Sequence, residues 1–351
     1  MERAQASAET VLVTGGSGFL GSWCLVELLR RGYRVRTTVR DPSREPEVRA
    51  MLEPEAEVGD RLSMHVADLT DDAGWEDAIG GCDYVLHVAS PFPPQQPKDP
   101  DELIVPAREG TLRVLRTALG AGVKRIVLTS SAVAVANSGR PPASGEAFTE
   151  EDWSDPANPD LTPYGRSKTI AERSAWDLVN ERGDTSRLTV VAPSAILGPV
   201  LSDDRSYSLQ AIERLLGGMP GIPQLGFSFV DVRDVADLQV RAMTAPEAAG
   251  ERFLGAGPFL WMSDVAEILR DRLGPSAAKV PTRKVPNFVV RAMARFDPGL
   301  RTVVGDLGKR RILSSEKAKT RLGWSPRSIE ETLVDTAESL TRVGAVAAPA
   351  T

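Results

Sequence analysis

The chain has 351 residues, 42% hydrophobic and 26% charged, the make-up of a folded protein with a large core rather than a disordered or fibrous one. Its 42 basic and 48 acidic residues leave a net charge of −6, which speaks against a nucleic-acid-binding surface. No stretch predicts a membrane span, since the longest apolar run, 188–201, is broken by Pro193, Gly198 and Pro199.

The first element is an apolar strand at 10–14 that runs into Gly15, Gly18 and Gly21. A helix is expected over 19–31, with Gly32 as its stop, and a second strand over 34–39. Gly15 suits a sharp exit from the strand, and Gly18 allows close backbone approach to a pyrophosphate. Gly21 allows the helix to pack closely, while Gly16 reads as a spare. The helix N-terminus offers free amides and a favourable dipole to phosphate. The segment therefore reads as a dinucleotide-phosphate cradle formed by Gly15, Ser17, Gly18, Phe19, Leu20 and Gly21. The second strand ends in Val39-Arg40-Asp41. Arg40 suits a 2′-phosphate through its planar fork, which favours NADP, with Arg44 adding charge. Asp41 is the competitor, either as a turn residue before Pro42 or as a ribose ligand of the NAD type.

Further strands are expected at 62–66, 84–88, 124–130 and 187–192, with helices at 44–52, 71–80, 101–121 and 163–182. This alternation predicts an α/β fold, a doubly wound parallel sheet with crossover helices. The fourth strand is apolar nearly throughout, as a strand covered on both faces should be, and His87 within it reads as core or cofactor-adjacent. After residue 193 the pattern loosens. A loop is expected at 217–226, and helices at 263–273 (with Ser263 as N-cap), 287–296 and 328–342. The domain reading is a nucleotide-binding domain at 8–192, to which 227–245 returns. A smaller substrate lobe takes 193–226 and 246–342, with flexible tails at 1–7 and 344–351.

The chemical signal is Tyr164-Gly-Arg-Ser-Lys168. A Tyr and a Lys four apart share one helix face. Thr162 suits the N-cap and Pro163 the first helical position. The helix dipole and the Lys168 ammonium are expected to lower the Tyr164 pKa, so that the phenol exchanges a proton with a substrate oxygen. Val127-Leu-Thr-Ser-Ser131 ends the fifth strand, where ligands of open α/β sheets bind, and a serine there can stabilise oxyanion charge. No phosphate-binding Gly-x-x-x-x-Gly-Lys loop is present. With His65 and His87 alone, no metal site is expected. The run Lys309-Arg310-Arg311 reads as solvated charge and the six Trp as packing. Cys24 and Cys82 read as buried free thiols in a reducing compartment. No signal peptide is apparent, so a cytoplasmic location is expected.

These motifs together resemble the extended short-chain dehydrogenase/reductase superfamily, from Val11 to about Leu340. The similarity is to the dihydroflavonol reductase and cinnamoyl-CoA reductase branch, with its bacterial and yeast aldehyde and ketone reductases. It rests on Thr14-Gly-Gly-Ser-Gly-Phe-Leu-Gly-Ser-Trp23, Arg31-Gly-Tyr-Arg-Val35, Thr38-Val-Arg-Asp-Pro42 and Ala67-Asp-Leu69. His87-Val-Ala-Ser-Pro91, Ser167-Lys-Thr-Ile-Ala-Glu172, Phe229-Val-Asp-Val-Arg-Asp-Val235 and Ser314-Ser-Glu-Lys317 extend it. The resemblance implies Ser131, Tyr164 and Lys168 as catalytic residues, with Ser130 as the fallback serine, and Arg40 as an NADP ligand. It places Asp68 and Leu69 at the adenine, Val88, Ala89 and Ser90 along the diphosphate and ribose, and Pro193, Ser194 and Ile196 by the nicotinamide. Tyr164 and Lys168 would also touch the cofactor. Where many members carry an Asn two residues before Gly-Thr, this chain has Arg108, so that role does not transfer.

The substrate pocket is expected to take Ser90, Phe92, Ser131, Val133, Ile196 and Leu201, with Tyr207 and Leu209 at its margin. Such a mostly apolar wall suits aryl or alkyl carbonyl compounds. The activity implied is NADPH-dependent reduction of aldehydes or ketones by a monomer or homodimer whose partner is a small-molecule carbonyl substrate. A nucleotide-sugar epimerase is the first alternative, but 193–230 offers only Arg205 and Arg214 for a sugar-nucleotide diphosphate. Ala132 and Val133 after the serine exclude the usual dehydratase acid/base pair. A non-catalytic NADP-binding sensor is the second alternative, disfavoured because Tyr164 and Lys168 are both present.

Overall fold

The computed structural model describes residues 9–91, 99–142, 145–202, 206–296, 300 and 304–346. Strand β1 (Thr10–Val13) leads through the glycine turn into α1 (Phe19–Arg30), and β2 (Arg34–Val39) follows. Next come α2 (Glu45–Leu52), β3 (Leu62–Val66), α3 (Trp75–Ile79), β4 (Tyr84–His87), α4 (Asp101–Gly120), β5 (Arg125–Thr129), α5 (Pro163–Arg182) and β6 (Leu188–Pro193). The second half carries β7 (Ala195–Leu197), α6 (Tyr207–Leu216), β8 (Ile222–Pro223), β9 (Gly226–Asp231), α7 (Val232–Thr244) and β10 (Arg252–Gly255). After these come β11 (Phe259–Trp261), α8 (Met262–Leu273), β12 (Lys284–Val285), α9 (Asn287–Met293) and helices Glu316–Leu322 and Ile329–Arg342.

Among the described residues the main sheet has seven strands in the order β10-β6-β5-β4-β1-β2-β3, every adjacent pair parallel. This is the expected doubly wound sheet. The order reverses between β1 and β4, and parallel strands bring all their C-terminal ends to one edge, so a crevice opens there. Leu12, Val85 and Ile126 face a core closed by α4 and α5, while Val11, Leu86 and Val127 face one closed by α1 and α7. Burying both faces explains why these strands are apolar in succession.

A smaller sheet, β11-β9-β7, pairs β9 antiparallel to β11 and parallel to β7, and β8 pairs with β12. Leu209, Ile212, Leu215, Val265, Leu269 and Leu333 build a separate core beneath it. Leu209 is therefore a core residue of this lobe.

Several boundaries differ from expectation. The expected lobe segment 246–342 gives up β10, which pairs with β6 and supplies the seventh strand. Residues 227–231 join the small sheet, with Val230 reaching into the large-sheet core, and α7 of the expected 227–245 packs against the large one. The loop expected at 217–226 contains β8. The helix expected at 71–80 shortens to α3. Gly74 sits at a φ of 83°, where a Cβ would lie 2.0 Å from the Val66 carbonyl oxygen, so the chain turns before it coils. Ser263 is not an N-cap. Asp264 Oδ2 accepts from the Trp261 amide at 3.0 Å, and α8 starts at Met262. Cys24 and Cys82 are free and buried. Of the six Trp read as packing, Trp23, Trp75 and Trp324 are buried, and Trp153, Trp176 and Trp261 are partly buried. Among the described residues no helix is long and apolar enough to cross a membrane.

Candidate active site

The glycine turn is tightly built. Gly15 has a φ of 70°, and a Cβ there would lie 3.0 Å from the Ala89 Cβ. A Cβ on Gly21 would lie 2.1 Å from the Gly15 carbonyl oxygen, so α1 rests directly on the turn. Gly16 is not a spare. Its Cβ would fall 2.2 Å from Thr37 Oγ1, where the turn crosses β2. Helix α1 starts at Phe19 after Gly18 as its N-cap, with no side-chain cap, which leaves the first-turn amides at Phe19, Leu20 and Gly21 for a ligand.

Thr14, which the sequence reading passed over, ties this turn to β4. Its Oγ1 accepts from the Val88 amide at 3.0 Å and the Ala89 amide at 2.9 Å, and lies 2.9 Å from His87 Nδ1. Burial pushes His87 down to about 3, so the imidazole is neutral. The pattern that could have flagged Thr14 is its polar side chain at the end of an otherwise apolar strand.

Arg40 is exposed and makes no hydrogen bond or ion pair among the described residues. Asp41 is a turn residue. Its Oδ1 accepts from the Ser43 amide at 2.9 Å, which holds the carboxyl below its usual range. Arg44 Nη1 stands 3.5 Å from Ser17 Oγ, above the glycine turn. Asp68 accepts from Thr70 Oγ1 at 2.7 Å and the Thr70 amide at 2.8 Å. These bonds, with the charges of Arg40 and Arg113, keep it ionised. Leu69 is partly buried, and its carbonyl oxygen accepts from Arg113.

Thr162 Oγ1 accepts from the Gly165 amide at 3.1 Å, and Pro163 opens α5, as expected. Tyr164 is therefore in the first turn, and the Ser131 side chain lies beside its phenol. The expected lowering of the Tyr164 pKa is corrected by the structure. Burial pushes the phenol up to about 12, against the opposing pull of Ser131. Desolvation of the phenolate outweighs the dipole, so Tyr164 holds its proton firmly before a ligand arrives. Lys168 is buried, and its Nζ donates to the Thr129 carbonyl at 3.1 Å. Burial pushes Lys168 down to about 8, while the charge of Glu172 pulls it up.

The two serines separate clearly. Ser130 is 4% exposed, and its Oγ donates to Glu172 Oε2 at 2.5 Å. Ser131 is partly exposed and meets Tyr164. A small crevice lined by Ala89, Ser90, Thr111, Ser130, Lys168 and Glu172 runs behind the pair. Pro193 ends β6, and the buried Ser194 hydroxyl has no hydrogen-bond partner among the described residues, an open donor for a ligand amide. Ile196 lies on β7, Val133 follows Ser131 in a short turn, and Leu201 packs on the core around Leu20 and Trp23. Phe92, Arg205 and the side chain of Tyr207 lie outside the described residues. Uncapped amides, an orphaned hydroxyl and an unpaired Arg40 at one sheet edge fit a dinucleotide with a 2′-phosphate.

The basic run 309–311 is mostly paired: Lys309 with Asp160, Arg311 with Asp306, and Arg310 over the Phe259 ring. Arg108 pairs with Glu109.

A protein-family model described as the NAD dependent epimerase/dehydratase family matches residues 11–254. Cinnamoyl-CoA reductase CAD2 of Medicago truncatula is 36% identical over 266 residues, covering 74% of this chain and 80% of that protein. Dihydroflavonol 4-reductase of Zea mays is 36% identical over 280 residues, covering 78% of this chain and 77% of that protein. Among solved structures, yeast methylglyoxal/isovaleraldehyde reductase Gre2 complexed with NADPH is similar with a TM-score of 0.79 and 26% identity. That match covers 96% of this chain and 100% of the other.

Proposed function

The chain belongs to the NAD dependent epimerase/dehydratase family, in the cinnamoyl-CoA and dihydroflavonol reductase branch of the extended short-chain dehydrogenase/reductases, and we propose that it reduces aldehydes or ketones to alcohols. It is an oxidoreductase, and NADPH is its cofactor. The observation that carries the reading is Ser131 beside the Tyr164 phenol, with Lys168 one helical turn behind it.

The turn Gly15–Gly21 holds the diphosphate, with Ser17, Phe19 and Leu20 in the cradle. Arg40 holds the 2′-phosphate, and Asp68 and Leu69 border the adenine. Val88, Ala89 and Ser90 line the diphosphate and ribose. Pro193, Ser194 and Ile196 border the nicotinamide, which when bound supplies the hydride. Ser131 donates a hydrogen bond to the substrate oxygen and stabilises its developing charge. Tyr164 gives that oxygen its proton. Lys168 favours the phenolate left behind and, with Tyr164, orients the ribose. Ser90, Val133, Ile196 and Leu201 present a mostly apolar wall, which suits aryl or alkyl carbonyl compounds.

Arg40→Ala separates the two nicotinamide cofactors. Loss of a charge-assisted contact to phosphate should weaken NADPH by about tenfold to a hundredfold, while NADH changes little. Titration of each cofactor by fluorescence checks this, and equal losses would remove the 2′-phosphate contact from the account. The serines give a second test. Ser131→Ala should lower kcat by about 10²-fold, the cost of one oxyanion donor. Ser130→Ala should mainly destabilise, by about 1–3 kcal/mol, because Glu172 loses a buried partner. Steady-state rates and thermal melts of the two variants, compared side by side, decide between them. The direct test of the reaction is NADPH oxidation with aldehydes, aromatic ketones and keto esters, together with detection of the alcohol formed.

A further inference from the structure

Glu172 is the only carboxylate lining the crevice behind Tyr164 among the described residues, and the reaction as described leaves it unused. It is 1% exposed. It sits one helical turn after Lys168 on α5, so both side chains face the end of β5. Its position is fixed from three sides. Ser130 Oγ donates to Oε2 at 2.5 Å, and Arg252 Nε donates to Oε1 at 2.6 Å. Trp176 Nε1 reaches Oε1 at 3.4 Å. Arg252 is itself clamped. It stacks on the Trp153 ring at 3.6 Å, and its Nη1 donates to the Glu150 carbonyl at 2.6 Å.

A buried carboxylate so held is a costly arrangement, and a stabilising role alone does not account for it. Swapping a buried ion pair for apolar residues of the same shape is often neutral or favourable. What the pair does place here is a fixed negative charge beside a buried lysine. Lys168 has no ion-pair partner of its own among the described residues, since its Nζ bonds a carbonyl. The titratable and charged groups facing it are Tyr164 and Glu172 on α5 and the neutral His87 on β4, with Arg252 of β10 behind Glu172. Glu172 is thus the nearest compensating charge.

We infer that Glu172 is a positioning residue of the reductase, the fixed counter-charge that keeps Lys168 cationic behind Tyr164, with Arg252 and Ser130 holding it in place. The inference rests on the proposed reaction, in which the Lys168 ammonium supports Tyr164. Without Glu172, Lys168 loses its proton at lower pH, and turnover falls off earlier as pH rises.

The test uses the full-length protein with Glu172→Gln and Glu172→Asp. In reductive pH–rate profiles, Glu172→Gln should move the alkaline limb of kcat down by about one pH unit, with KM for the carbonyl nearly unchanged. Glu172→Asp keeps the charge and should keep the limb within about 0.3 unit of the parent, even if its melting temperature drops. The Lys168 side-chain NMR signals in cofactor-free protein, assigned with Lys168→Met, give the same titration without turnover. If Glu172→Gln does not fold, Glu172→Gln/Arg252→Met removes the ion pair together, and the limb should still move down. A limb and a Lys168 titration that stay at the parent values in a folded variant overturn the inference. Retained turnover in Tyr164→Phe would instead overturn the reaction on which it rests.

Discussion

Tyr164→Phe should lower kcat for carbonyl reduction by about 10³-fold, while NADPH should bind within a few-fold of the parent. The phenol lies beside Ser131 at the sheet edge; a serine hydroxyl is far too weak an acid to replace it, and the Lys168 ammonium is bonded to the Thr129 carbonyl. Phenylalanine keeps the ring and removes only the hydroxyl, so packing around the first turn of α5 is preserved. The fold should hold as well, because Thr162 still caps the helix through the Gly165 amide. Single-turnover reduction separates the proton-transfer defect from binding, and fluorescence titration confirms the cofactor affinity. A variant that turns over within tenfold of the parent would mean that the proton comes from another group. The raised Tyr164 pKa of about 12 gives the expected shape of the parent's profile. The phenol stays protonated through neutral pH, so Tyr164 imposes no loss of rate up to about pH 9, and an alkaline limb near pH 8 would belong to Lys168, which burial pushes down to about 8.

Gly21→Ala carries the second large effect. The added methyl would lie 2.1 Å from the Gly15 carbonyl oxygen and 3.0 Å from the Gly16 Cα. Both neighbours are backbone, so no rotamer change relieves the contact. Helix α1 must lift off the turn. Its other face is anchored by Trp23, Leu25 and Leu28, all buried against the sheet and α7. Overpacking of this kind costs about 3 kcal/mol. The first-turn amides move with the helix, so NADPH affinity should fall by about tenfold or more. Thermal melts with and without NADPH report both effects. A parent-like melting temperature would show that the turn has more room than the contact distances allow.

Much of this site is legible in the sequence because it is local. The glycine turn, the apolar β4 and the Tyr-Lys spacing each depend on residues close together in the chain, so periodicity and turn chemistry find them. What depends on distant partners is not. β10 begins with Arg252, a poor marker for a buried edge strand. It joins the main sheet because β6 offers a free edge and Glu172, 80 positions away, takes its guanidinium. Gly16 is redundant in a linear motif, and only the crossing of β2 above it shows that Thr37 fills the space. Ser130 and Ser131 are equivalent at the end of a strand pattern. Their difference is which face of the sheet edge each meets, Glu172 or Tyr164. The Tyr164 pKa is hidden from the sequence for the same reason. Its helix position is readable from Thr162 and Pro163, whereas the desolvation that outweighs the dipole comes from the whole fold.

The measurement that bears most directly on the reaction is transfer of deuterium from NADPH labelled at nicotinamide C4. The purified protein is given the labelled cofactor and an aromatic ketone or aldehyde, and the product is analysed by mass spectrometry and NMR. The expected result is an alcohol with one deuterium on its carbinol carbon, formed in step with NADPH loss and abolished in Tyr164→Phe. Label that stays on the cofactor, with no alcohol formed across the carbonyl panel, would contradict the account. Epimerisation of a nucleotide sugar without net cofactor consumption would replace it with the epimerase.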